Sequence, residues 1–123
     1  MYELVKAIVM SLALGVISIA LVTTLWSYPL ILAIALIIVS GWALSLHKQK
    51  SELILYIIVG IGGAIAETIP IYVGAWTYGQ SQVVGIPIWL PPLWGLAGLV
   101  SKWFFEDITL YYKNNRQKNK QAN

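Results

Sequence analysis

The chain has 123 residues, 59% of them hydrophobic and 11% charged, with a net charge of +3 and no cysteine. Soluble domains average about 25% charged residues and small globules leave much of their surface wet, so an ordinary soluble fold is excluded and the bilayer is the expected solvent. The missing cysteine excludes a disulfide scaffold, a thiolate metal site and a cysteine nucleophile.

A helix needs about 20 apolar residues to cross about 30 Å of hydrocarbon. Four stretches qualify, at residues 4–25, 29–46, 53–73 and 87–105. The first outruns the apolar core of a signal peptide and ends without a small-x-small cleavage site, so a retained span is expected. Tyr2 stands where myristoylation needs glycine. Trp26, Ser27 and Tyr28 form a short turn, and Pro29 suits the first turn of the next helix. The segment from His47 to Glu52 joins the second and third spans, and residues 74–86 join the third and fourth. Backbone groups in lipid must be satisfied within a helix or a closed barrel. These runs are continuous rather than alternating, so helices are expected. The expected fold class is all-α: a polytopic membrane protein, a bundle of four transmembrane helices over residues 1–105. A basic tail, 106–123, is expected to continue as extended chain.

Every cation belongs to one side of this arrangement: Lys6, Lys48, Lys50, Lys102, Lys113, Arg116, Lys118 and Lys120. The two opposite loops carry none. By the positive-inside rule both termini are expected to be cytoplasmic, in a multi-pass protein of the cell membrane. His47 lies on the cytoplasmic side and reads as a boundary residue.

Glu67 is the charged residue placed deep in the third run, with no opposite charge near it in sequence. Ionisable groups in a bilayer face a protein interior or a ligand site. It lies about 21 Å above the inner boundary, where Trp94 (~20 Å) and Ser18 (~21 Å) on neighbouring spans fall level with it. Both are candidate hydrogen-bond partners, the indole as donor and the hydroxyl in either role. Lys102, at about 8 Å, is too far inward for an ion pair and is expected to snorkel to the headgroups. Small residues stripe the third span at Gly60, Gly63 and Ala64, the first at Ala7, Ser11 and Gly15, and the fourth at Gly95, Gly98 and Ser101. Such stripes let helices approach closely in lipid, and the three are expected to meet. Pro70 leaves the Ala66 carbonyl without its helical donor.

The connection 74–86 is long for a structureless loop and holds Trp76 and Tyr78, expected to lie over Glu67 as a lid. Trp89 and Trp94 follow among Pro87, Pro91 and Pro92. An interfacial aromatic girdle accounts for Trp76 and Tyr78, but Trp94 lies too deep for one.

The ordered pattern Glu67, Gly74-x-Trp76-x-Tyr78, Gly85-x-Pro87-x-Trp89-x-Pro91-x-x-Trp94 resembles small bacterial four-span membrane families of unassigned role. Over about residues 60–95 it also resembles the integral-membrane carotenoid hydratases, which carry an acid, a Gly- and Tyr-containing stretch and a Gly-Val-Pro start to the next helix. Those enzymes are larger, and their further acids have no counterpart here. The short lycopene cyclase subunits are similar in size, but their proline–glutamate motif is missing. The resemblance implies a ligand pocket near Glu67.

The first functional expectation is therefore a lipid- or isoprenoid-like ligand in the outer half of the membrane. Glu67 would be its general acid or hydrogen-bond anchor, and Ser18, Trp76, Tyr78, Trp89 and Trp94 would line the site. Whether this is an enzyme stays open, because acid–base chemistry wants a partner group and none lies at this level on the spans. A non-enzymatic subunit or scaffold of a membrane complex, or a homo-oligomer, is the alternative. A small proton-coupled transporter is the second; the chain is similar in size and span number to the small multidrug-resistance exporters, whose acid lies on the first span. No cofactor, metal-ligand or nucleic-acid motif is present.

Overall fold

The computed structural model describes residues 2–79 and 85–123; Gln80, Ser81 and Gln82 of the outer loop lie outside them. It forms four helices among the described residues: α1 (Tyr2–Leu25), α2 (Pro29–His47), α3 (Lys50–Tyr72) and α4 (Leu90–Ala122). No strand is formed there. The first three are long and apolar enough to cross a membrane.

The helix ends follow local chemistry. Pro29 opens α2, where its missing N–H costs nothing. Lys48 closes α2 in the left-handed region (φ 51°), its N–H donating to the Leu44 carbonyl. Only Lys48 and Gln49 separate α2 from α3, so α3 starts at Lys50, ahead of the expected 53, and takes Glu52 into its first turn. Gly74 turns the chain after α3 at φ 84°, a conformation only glycine adopts without strain. Pro91 and Pro92 occupy the first turn of α4. From Leu99 onward α4 meets neither glycine nor proline, and it runs unbroken to Ala122. The tail expected to be extended is thus helix. At 33 residues α4 is about 50 Å long, well beyond the ~30 Å of a hydrocarbon core.

The helices alternate in direction. Glu52 at the start of α3 meets Trp103 of α4, and Glu67 near its end meets Trp94. Gly79 lies against the Trp26 ring, so the α1–α2 turn and the α3–α4 connection share one end. Glu3 and Ala7 flank a cavity with Asp107 and Tyr111, which puts the start of α1 beside the second half of α4. α4 is the hub: α1, α2 and α3 each pack on it, and α1 pairs with α2. The small-residue stripes of α3 and α4 do meet. α1 lies against α4 rather than sharing an extensive interface with α3.

Leu14, Leu32, Leu36, Leu96 and Leu99 form the fully buried core. Along α3 and α4 the contact is backbone-close. A Cβ on Gly60 would sit 2.8 Å from the Pro91 carbonyl oxygen, and one on Gly95 2.6 Å from the Tyr56 ring. Interfaces in lipid gain from this fit, because burying apolar surface from acyl chains gains little by itself. Tyr56 also ties α3 to α2, its hydroxyl donating to Ser40 Oγ at 2.7 Å.

Candidate functional site

Glu67 lies in the last two turns of α3 and faces α4. Trp94 Nε1 donates to its Oε1 at 3.2 Å, the partner expected from helix rise alone. The Tyr78 hydroxyl donates to its Oε2 at 2.5 Å. Each carboxyl oxygen thus accepts one hydrogen bond, one from a helix and one from the loop above. Burial and the adjacent Glu67 push the Tyr78 phenol well above its usual range, so it remains a neutral donor.

Trp94 is positioned by a missing side chain. Gly63 leaves the space its indole fills, and a Cβ there would overlap the ring. Trp89, 6% exposed, stands edge-on to Tyr78 at 5.9 Å between ring centroids. Among the described residues its Nε1 has no hydrogen-bond partner. Beside these groups lies a cavity of about 380 Å³ lined by Glu67, Tyr78, Trp89 and Trp94, with Leu90, Leu93 and Val22 as its apolar wall. Ligand sites are typically apolar clefts of about 300–1,000 Å³ with a few convergent polar groups.

Of the side chains expected at the site, Trp76 stays beside Tyr78 and outside the cavity lining, while Tyr78, Trp89 and Trp94 gather around Glu67. Ser18 does not. It is buried, but its hydroxyl donates to the Leu14 carbonyl at 2.8 Å. A helical serine has that acceptor always within reach, and α1 packs on α4 rather than α3. Val22, one turn further along α1, lines the cavity instead. Tyr78 supplies the second titratable group that no span offers at this level.

A second acid was missed by sequence reasoning. Glu52 is fully buried (0% exposed) at the other end of α3. It accepts from Trp103 Nε1 at 2.6 Å and pairs with His47 Nδ1 at 2.8 Å. Lys102 Nζ approaches at 3.5 Å and also reaches Gln49 and Glu106. Lys102 therefore turns away from Glu67, as its shallow depth implied. His47 is more than a boundary residue: it closes the end of α2 onto α3 and stacks edge-on against Trp103 at 4.9 Å. The usable signal was an acid in a short loop facing a Lys-Trp pair on the last helix. Among the described residues, no three His, Asp or Glu side chains converge in a way that could hold a metal.

No protein-family model, curated protein or solved structure matches this chain.

Proposed function

We propose that the chain is a four-span membrane protein with both termini cytoplasmic, and that it binds a lipid- or isoprenoid-like amphiphile in the outer half of the membrane. The observation that carries this reading is the apolar cavity into which a doubly hydrogen-bonded Glu67 opens. The ligand's polar head donates to the Glu67 carboxyl while its chain lies against Leu90, Leu93 and Trp89. The fourth span is the apolar first half of α4. Its polar second half stands off the cytoplasmic face together with the cations of the tail. Tyr78, held neutral, orients the Glu67 carboxyl, which is the group of the pair able to exchange a proton with a bound head group.

Native mass spectrometry of the protein extracted in mild detergent tests the reading. A long-chain ligand should be retained, and Glu67→Gln should lower its retention about tenfold, the scale of one lost hydrogen bond. Tyr78→Phe should weaken it by a smaller factor. Equal retention in wild type and Glu67→Gln rules out Glu67 as the anchor. Single-cysteine labelling is clean in a chain with no native cysteine and tests the orientation. Labels on the tail should be protected from impermeant reagents in intact cells, and labels near Trp76 should not be.

The subunit reading draws on small-residue stripes as association faces. Gly60, Gly63, Gly95 and Gly98 are already occupied by the α3–α4 contact, so ligand binding is preferred.

A further inference from the structure

The cavity beside Glu67 has one unmet group in its wall. Trp89 lines it and is buried, and among the described residues its indole N–H has no hydrogen-bond partner. A buried donor left unpaired costs about 1–3 kcal/mol, and such a group in a native fold calls for a partner. The edge-on Tyr78 ring, 5.9 Å away between centroids, offers at most a weak N–H···π contact. The Trp94 indole and the Tyr78 hydroxyl are both engaged, each donating to Glu67. Glu67 itself keeps acceptor capacity, because an ionised carboxylate takes about four hydrogen bonds.

One open acceptor and one open donor choose the head group. Among the described residues no cation lines the cavity, so a phosphate or carboxylate would face Glu67 without a counter-charge. A plain hydrocarbon leaves both groups unmet. An ammonium serves Glu67 but has no lone pair for the indole, and an ether or ketone does the reverse. A hydroxyl is donor and acceptor at once.

The walls say where the rest of the molecule goes. Trp94 and Ala97 line this cavity and also a second one of about 630 Å³, which follows the α3–α4 seam past Val59 and Gly98 to Phe105. From Trp94 to Phe105 the path is about 17 Å, roughly half of a ~30 Å hydrocarbon core, and so matches one long aliphatic chain. We infer that the site takes a long-chain alcohol. Its hydroxyl donates to Glu67 and accepts from Trp89 Nε1, and its chain passes Ala97 into the seam. The inference rests on the ligand-binding reading above and names the head group for it.

The test is native mass spectrometry on protein released from nanodiscs loaded in turn with octadecanol, octadecyl methyl ether and octadecylamine. The wild type should retain octadecanol about tenfold better than the ether, which cannot donate to Glu67; that is the scale of one hydrogen bond. Trp89→Phe keeps a ring and removes the N–H. It should lower octadecanol retention about tenfold and leave octadecylamine, which has no use for that donor, unchanged. Ser101→Phe, which fills the seam from an exposed position, should lower retention of octadecanol but not of octanol, and equal effects overturn the path along the seam. Octadecanol held no better than its ether, or a Trp89→Phe that lowers alcohol and amine alike or neither, overturns the inference and leaves a ligand site at Glu67 standing. Retention of none of the three probes overturns that site as well. Should Trp89→Phe fail to fold, the wild-type indole N–H proton signals decide: one should move downfield with octadecanol and stay in place with octadecylamine, and the lack of such a signal overturns the inference.

Discussion

Glu52→Ala should destabilise the protein by about 3 kcal/mol, within the range for breaking a buried charge pair. Single interhelical hydrogen bonds in membranes are weak, averaging about 0.6 kcal/mol, so the loss of contacts alone would account for only part of this. The rest comes from what is left behind. Trp103, 4% exposed, loses the acceptor for its indole N–H, and an orphaned buried donor costs about 1–3 kcal/mol. His47 and Lys102 lose the acid that draws α2 and α4 together. Unfolding by denaturing detergent in mixed micelles measures the effect, with Glu3→Ala as the exposed control. If the two variants unfold within about 0.5 kcal/mol of one another, the margin of an ordinary surface change, Glu52 does not clamp the three helices.

Gly63→Ala should cost about 1–3 kcal/mol, the usual penalty of overpacking, and should also reduce ligand retention. The added methyl overlaps the Trp94 ring, so α3 and α4 must separate or the indole must leave Glu67 Oε1. The adjacent Gly62 is the control, because a Cβ there meets nothing within 4 Å. Gly62→Ala should be neutral or should stabilise by several tenths of a kcal/mol through helix propensity. Equal behaviour of the two alanine variants would show that the α3–α4 seam has room for a methyl group at Gly63. Thermal unfolding in detergent and the fluorescence of Trp94 report the two consequences separately.

The relation between Glu67 and Trp94 is legible in the sequence because both residues sit in long regular helices. Rise per residue then converts sequence position into depth. Spans limited in length by the bilayer add a common origin for that arithmetic. The same arithmetic places Ser18 level with the acid, and there it fails. Depth says nothing about which helices are neighbours, and a serine that bonds its own helix needs no partner.

Glu52 is hidden for a different reason. Apolar runs locate the hydrocarbon, but α3 begins at Lys50, before the apolar run does. That extra turn carries Glu52 from an apparent loop into the bundle. The tail shows the same effect at the other boundary, since α4 runs past its apolar run to Ala122 with no breaker to stop it.

The amino-acid sequence by itself determined the all-helical architecture, the three apolar helices long enough to cross a membrane, and the acid deep within one of them. These depend on solvent and local periodicity, which every residue reports independently. Only the tertiary structure decided that Tyr78 reaches down to Glu67, that Val22 and not Ser18 walls the cavity, and that Glu52 is sealed by His47 and Trp103. Each of those pairings depends on where a helix ends and which neighbour it leans on. A shift of one residue moves a side chain by about 1.5 Å along the axis and by roughly 100° around it, so composition and spacing do not resolve such contacts.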